Sequence, residues 1–291
     1  MRFGLQVPIF SYPGGPATIR PVLKNIAQAA DAGGFYSLWT MDHFFQMEMI
    51  GGPEREMLEG YSTLSYFAAL TERVKLGTLV TGVIYRHPGL LIKTATTLDV
   101  LSGGRAYLGI GAAWYEREAL GLGVPYPDTK DRFEQLEETL QIAHQMWSDE
   151  VKPYHGKHFT LEEARNVPNA LTKPHPPIMI GGMGEQKTMR LIAKYGDACN
   201  FFAQAGNEAM QQKLDALKAR CEEAGRDYAQ IEKTALGSID LDKMTAKDVV
   251  EWCRGLAALG FQHIIVNLPN AEAITPIETL AREVIPEIAA L

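Results

Sequence analysis

Short apolar segments and longer amphipathic ones alternate along the chain. The short ones are rich in β-branched and aromatic residues. They cover 2–7, 36–40, 75–82, 106–111, 178–181, 198–202, 234–239 and 263–268, which makes eight expected strands. A helical pattern follows each one, over 19–32, 62–70, 88–101, 132–147, 186–195, 208–224, 246–259 and 277–289. In the first helix Val22, Ile26 and Ala29 share a side and Gly33 stops the run. Pro88 suits a first helical turn. The fourth helix carries Asp131 and Glu134 at capping-box spacing, with the stripe Phe133, Leu136, Leu140, Ala143 and Trp147 behind them. Leu214, Leu217, Cys221 and Ala224 form a similar stripe that reads as core.

Eight strand–helix repeats predict a (β/α)8 TIM barrel, one domain over 1–291; a doubly wound sheet with an extra subdomain is the alternative. One stretch exceeds the repeat. Residues 148–177 carry "VKPYHGKHFTLEE", a hairpin with His155-Gly156 at its turn, and "NVPNALTKPHPP", a proline-rich connector. They predict an insertion between helix four and strand five, a place from which insertions often cover active sites.

Composition narrows the partners. The chain has 291 residues, 46% hydrophobic and 22% charged, which is ordinary for a globular protein. A net charge of −7 without a basic patch argues against nucleic acid, while leaving room for a local phosphate site. Cys199, Cys221 and Cys253 are odd in number and form no CxxC pair. Free thiols, no metal and a reducing cytoplasm are expected. No apolar run reaches membrane-spanning length, so no membrane partner is expected.

In a barrel, chemistry sits on the loops that follow the strands. Here those loops carry Asp42-His43, Gly82 to His87, Gly111 to Glu116, Gly181-Gly182-Met183-Gly184 and Phe201-Phe202. Such a rim of aromatic, histidine and glycine residues suits a flat, phosphate-bearing ring system. Taken singly, several read as structure: Asp42-His43 as a helix cap beside a satisfied histidine, Arg86 and His87 as solvated loop, Trp114 as a plug. "GGMGE" between a strand and a helix exposes backbone N–H groups to an anion. Glu185 opposes that anion, with Lys187 and Arg190 at hand to offset it. "GIGAAW" is not a dinucleotide fingerprint, because Trp114 stands where the third glycine belongs; its glycines signal close backbone approach instead. GxSxG, HExxH and Walker motifs do not occur.

The segments "GFYSLWTMDHF", "VKLGTLVTGVIYRHPGLLIKTATTLDVLSGGRAYLGIGAAWYERE", "DRFEQLEETLQIAHQMW", "HGKHF" and "KPHPPIMIGGMGEQKTMRLIAKYGDACNF" resemble the luciferase-like oxidoreductases. Within them the likeness is to the branch that uses the deazaflavin coenzyme F420. The resemblance runs from the first strand to about Phe202; the remainder fits by barrel periodicity alone. It implies hydride transfer between reduced F420 and a small organic substrate. Two alternatives stay open: a flavin mononucleotide (FMN) monooxygenase served by a separate reductase, and a non-catalytic barrel. The resemblance also implies a non-proline cis peptide at Gly82–Val83 pressed against the ring, with Thr81 facing that ring. Gly181, Gly182 and Gly184 would hold the phosphate. His43 would donate a proton or stabilise an oxyanion, with Asp42 orienting it. Trp114, Tyr115 and Phe202 would line the substrate pocket. Trp114 departs from the sugar-phosphate dehydrogenase branch, which has Gly-Thr-Gly-Glu with its acid here, so that acid and substrate do not transfer. The loop 46–60 reads as a lid, and a homodimer is expected.

Overall fold

A computed structural model describes all 291 residues. The barrel strands are β1 (Arg2–Val7), β2 (Ser37–Thr40), β3 (Lys75–Thr78), β4 (Thr81–Gly82) and β5 (Leu108–Gly111), then β8 (Ile178–Gly181), β9 (Ala198–Phe202), β10 (Glu232–Ser238) and β11 (His263–Asn267). Between them a hairpin is formed by β6 (Tyr154–His155) and β7 (Thr160–Leu161). The helices are α1 (Pro16–Ala32), α2 (Gly60–Leu70), α3 (Pro88–Ser102), α4 (Glu116–Gly121), α5 (Thr129–Trp147), α6 (Lys187–Tyr195), α7 (Asn207–Ala224), α8 (Ala246–Ala258), α9 (Thr275–Glu283) and α10 (Ile285–Ile288).

All barrel pairings are parallel, in the order β3-β2-β1-β11-β10-β9-β8-β5-β4. The expected third strand, 75–82, is present as two pieces, β3 and β4, separated by Leu79 and Val80. Both pieces meet the segment that forms β5: Thr81 and Gly82 pair with Ile110 and Gly111, and an isolated bridge joins Leu76 to Ala106, just before the strand. That closes the ring, so the architecture is the expected (β/α)8 TIM barrel. Its strands are buried on both faces, because helices cover the outside and side chains fill the inside. Trp39, Tyr107, Met179, Leu236 and Ile265 form the inner layer, separate from the large apolar layer between strands and helices.

Three expectations change. Capping of α5 starts earlier: Asp128 accepts from the Asp131 amide at 2.8 Å. Glu134 instead takes His158 Nε2 at 2.8 Å and Lys157 Nζ at 2.6 Å from the hairpin. The capping box occurs at α8, between Thr245 and Asp248. The last helix divides into α9 and α10, with Pro286 early in the second. The insertion packs along α3 and α5, where Asn166 donates to Thr96 and Lys93 to the Val167 carbonyl. It contributes no residue to the cavity at the barrel mouth.

The opposite end of the barrel is closed by a polar network. His263 and Ser37 are both fully buried and 2.8 Å apart (Nε2 to Oγ), and Trp39 Nε1 donates to the same hydroxyl at 2.7 Å. Glu232 lies 3.3 Å from His263 Nδ1, poorly aligned, and accepts from Arg2 at 2.8 Å. Burial would raise the Glu232 carboxyl, but His263 and Arg2 outweigh it and hold its pKa at about 2. A carboxyl depressed on folding stabilises the native state above its ordinary pKa and loses that contribution as pH falls. Glu232→Gln should therefore flatten the stability loss between about pH 4.5 and pH 2. Urea midpoints across that range check this; an unchanged acid limb would contradict it.

Candidate active site

At the C-terminal ends of the strands the barrel opens into a cavity of about 340 Å³. Its walls come from Asp42-His43 after β2, the β3–β4 junction, Gly111 to Trp114, the loop Gly181 to Gly184, and Asn200, Phe202 and Leu236. The first turns of α5 and α6 add Arg132, Phe133 and Thr188.

Val80 shapes the floor. Its Cγ atoms would lie 3.0 Å from a Cβ at Gly111 or Gly181, and 3.3 Å from one at Gly109. A Cβ at Gly109 would also collide with the Thr78 carbonyl. The glycines of "GIG" and the first of "GGMG" thus clear space for one side chain from the interrupted strand. The non-proline cis bond is at Leu79–Val80, not at Gly82–Val83 as expected. The protein holds that step through backbone and Gln6: Leu79 N–H donates to the Thr40 carbonyl at 2.7 Å, and Gln6 Nε2 donates to the Leu79 carbonyl at 3.3 Å. Gly82 serves otherwise. Its N–H donates to Asp42 at 3.3 Å, and a Cβ there would press on the Tyr85 ring. Val83 is buried in the outer apolar layer and does not line the cavity. Thr81 lines it, with its hydroxyl held by Thr78 at 2.6 Å and by Tyr61 at 2.8 Å.

Asp42 and His43 line the same cavity but answer to different partners. Asp42 receives a fork from Arg86 at 2.8 and 2.9 Å, and Glu59, the cap of α2, binds the same guanidinium. Burial pushes the Asp42 carboxyl up, against the pull of Arg86. Arg86 also lies over the Tyr61 ring, its guanidinium carbon 4.9 Å from the centroid. Far from being solvated, Arg86 is the hub of this side of the site.

His43 is oriented by Glu118, not by Asp42 as expected. Its Nδ1 lies 2.7 Å from Glu118 Oε1. A carboxylate only accepts, so Nδ1 carries the proton and Nε2 is the ring nitrogen available to a bound molecule. Glu118 sits fully buried on α4 and also accepts from the Phe44 and Phe45 amides, at 2.8 and 3.1 Å, and from the Tyr85 hydroxyl. Burial alone would raise its carboxyl; the His43, Tyr85 and Phe44 hydrogen bonds outweigh that and hold its pKa below the ordinary glutamate value.

Trp114 and Phe202 stand at the rim, each about half exposed, with the Trp114 ring 5.5 Å from His43. Tyr115 was expected in the pocket and is outside it. Its ring packs on Met41 and Met47, and its hydroxyl donates to Glu48 at 2.8 Å. Glu48 also binds Arg117 at 2.5 Å, and Ser11 meets Glu56. The loop 46–60, read as a lid, is anchored by these contacts.

Gly182 and Gly184 lie beside Thr188 at the start of α6, and Gly181 against Val80; all three line the cavity. Gly182 has φ of +130°, which favours glycine. Glu185 is offset by Lys213 at 2.5 Å, not by the expected Lys187 and Arg190. Arg190 forks onto Glu137, and Lys187 lies over the Phe133 ring. The cation facing this cavity is Arg132. It is 8% exposed and donates through its terminal nitrogens to the Pro127 carbonyl and Thr129, while its buried Nε has no partner. Sequence reading passed over Glu118 and Arg132. Glu118 lies on α4, a six-residue helix too short for a periodic signal, and Arg132 sits in the first turn of α5, where a cation has no distinctive pattern. The contiguity of "WYERE" with a strand end was the one available signal.

An eight-stranded parallel barrel with a valine-floored, glycine-edged cavity at its C-terminal mouth defines a ligand-binding TIM-barrel protein. The model of the luciferase-like monooxygenase family matches residues 1–243, and the chain belongs to that family. It is similar to an F420-dependent glucose-6-phosphate dehydrogenase of Kineococcus radiotolerans, 30% identical over 231 residues that make up 77% of this chain. The matched region spans about 65% of that relative's length. An F420-dependent hydroxymycolic acid dehydrogenase of Mycobacterium tuberculosis is 29% identical, over 87% of this chain and 68% of the relative. In fold, the chain matches the coenzyme F420-dependent tetrahydromethanopterin reductase of Methanopyrus kandleri with a TM-score of 0.81, 17% identity and 99% of each chain covered.

The buried Asp42–Arg86 pair yields a stability test. Removing one member of such a pair strands the other charge and costs about 3–5 kcal/mol. Arg86→Leu should therefore lower the urea midpoint sharply, whereas Arg117→Leu, from an exposed pair, should leave it nearly unchanged. Equal effects would contradict the assignment of Arg86 as the hub.

Proposed function

We propose that this protein is a coenzyme F420-dependent oxidoreductase that moves a hydride between the deazaflavin and a small organic substrate, with His43 handling the accompanying proton. The observation that carries this reading is a single cavity lined by the Val80 wedge, the glycine loop with the partnerless Nε of Arg132, and the Glu118-held His43. The relatives named as F420-dependent support the cofactor. The residues suit it chemically. A flat ring system fits over a valine with glycines on either side, and an anionic phosphodiester matches the backbone of the glycine loop in a cavity that the Arg132 guanidinium also lines. When bound, the deazaflavin supplies a hydride donor or acceptor at one ring carbon.

The chain supplies everything else. The Val80 surface and the loop Gly181–Gly184 hold the ring and phosphate, so that the reacting atoms meet in a fixed geometry. Asp42 is satisfied by Arg86 and Gly82; its part is to fix the β2 and β4 ends relative to each other. Neutral His43, protonated at Nδ1 toward Glu118, accepts an alcohol proton at Nε2. In the reverse direction the same nitrogen donates the proton back, with Nδ1 held by Glu118 throughout. Glu118 is therefore a positioning residue for His43.

For the assembly we read a homodimer. Leu90 and Leu101 on α3 and the neighbouring Val167 and Leu171 are exposed and apolar. No helix is long and apolar enough to cross a membrane, and the three cysteines are buried and free, which supports a reducing compartment. Sedimentation should give twice the 32.1 kDa chain mass; a monomer at micromolar concentration contradicts the dimer.

Titrating the protein with F420 and with FMN tests the cofactor assignment. F420 should bind at micromolar concentration or tighter, with FMN at least tenfold weaker. FMN binding tighter than F420 would favour an oxygen-activating enzyme, and binding of neither would leave a non-catalytic barrel. His43→Ala should lower kcat by about 10²-fold or more while F420 affinity stays within threefold. Glu118→Gln should also lower kcat and move the pH profile of the reaction. A His43→Ala variant of undiminished turnover would remove the assigned role.

A further inference from the structure

We propose that the groove between α1 and α2, on the outside of the barrel, is a second ligand site for a straight-chain aliphatic monocarboxylate, and that its occupancy reaches the barrel mouth through Glu59. Neither the cofactor nor the redox reading enters the argument. The groove offers about 520 Å³, more than the cavity at the mouth and within the usual range of small-molecule sites of about 300–1,000 Å³. The helical repeat gives it its shape. Ile19 and Leu23 lie four positions apart on α1 and form a buried floor, with Leu58 and Tyr66 half-buried in the walls. The Tyr66 hydroxyl donates to the Arg20 carbonyl at 3.0 Å and ties the two helices together.

Charge decides the occupant. Arg20 and Glu59 are the charged residues of the groove. Glu59 is spent: it accepts from the Tyr61 and Ser62 amides, at 3.2 and 2.6 Å, and binds the Arg86 guanidinium. The Arg20 guanidinium forms no ion pair and no hydrogen bond, and its carbonyl alone is engaged, by Tyr66. The groove therefore presents hydrocarbon and one unmatched positive charge. An aliphatic chain gains by covering the apolar floor, and a carboxylate gains further by accepting from the guanidinium in a fork. A neutral or cationic amphiphile would gain only the first. Glu59 belongs to both sites, because the Arg86 it binds also forks onto Asp42, and Asp42 accepts from the Gly82 amide. The Glu59 side chain is 34% exposed. A ligand that covers it removes water and strengthens its attraction to Arg86, which tightens the hub.

The experiment is calorimetry on the cofactor-free protein with hexanoate, octanoate and decanoate, and with octanol as the uncharged control. Affinity should rise about three- to fourfold per methylene. Octanoate should bind at least about threefold tighter than octanol, a margin lost in Arg20→Ala and at high salt. Ser62→Trp, from an exposed position on α2 in the groove wall, should abolish octanoate binding while its urea midpoint stays near the parent's. Hydrogen exchange read on the same samples should slow at least about twofold over residues 81–87 when octanoate binds, relative to α7 on the far side. Equal binding of octanoate and octanol, or octanoate binding that survives Ser62→Trp, overturns the site. Unchanged exchange over 81–87 overturns the link to the mouth. A dimer that octanoate dissociates in sedimentation would seat a second copy in the groove and overturn the proposal too. F420 is absent from every arm, so failure here leaves the cofactor reading untouched.

Discussion

The site depends on one packing constraint: the Val80 side chain occupies volume that three neighbouring strand positions leave empty. Gly109 and Gly111 on β5 and Gly181 on β8 each lack the Cβ that would meet it. Close-packed interiors do not absorb an extra methyl group freely, and costs of about 1–3 kcal/mol are usual for overpacking. The break between β3 and β4 can therefore stand only because two other strands were built without side chains at those positions. Backbone groups are accounted for at the break as well, through Thr40 and Gln6. What results is a convex apolar surface at a barrel mouth, edged by bare backbone, where a planar ligand can approach closely.

Around that floor the charges are arranged in closed accounts. Asp42, Arg86 and Glu59 tie the ends of β2, β4 and α2; His43 and Glu118 tie the β2 loop to α4. The two adjacent residues Asp42 and His43 thus belong to separate networks, one structural and one facing the ligand. Tyr85 joins them sterically: its ring lies over Gly82, and its hydroxyl binds Glu118. Burial and the Glu118 contact push the Tyr85 phenol pKa up, so it stays a hydrogen-bond donor.

The barrel itself was legible in the chain. Alternating apolar runs and helical stripes placed all eight barrel strands within a few residues, because strand burial on both faces leaves continuous apolar runs that periodicity detects. The glycine loop and the close approach of "GIG" were legible too, since glycine reports backbone geometry directly. What could not be read was pairing at a distance. Whether His43 turns to Asp42 or to Glu118, 75 positions away, is decided by how α4 docks, and no local pattern carries that. The location of the cis bond failed for the same reason. Gly82 looked like the bend, but the residue needing room is Val80, and its room is made by glycines 29, 31 and 101 positions further on. Tyr115 likewise has the composition of a pocket aromatic, yet its hydroxyl follows Glu48 out of the cavity.

The most direct test of the account is a crystal structure of the protein with F420 bound. One face of the deazaflavin should lie on the Val80 side chain, the phosphodiester at Gly181–Gly184, and His43 Nε2 beside the open face. A ring lying away from Val80, or a phosphodiester on the Trp114 side of the cavity, would contradict it.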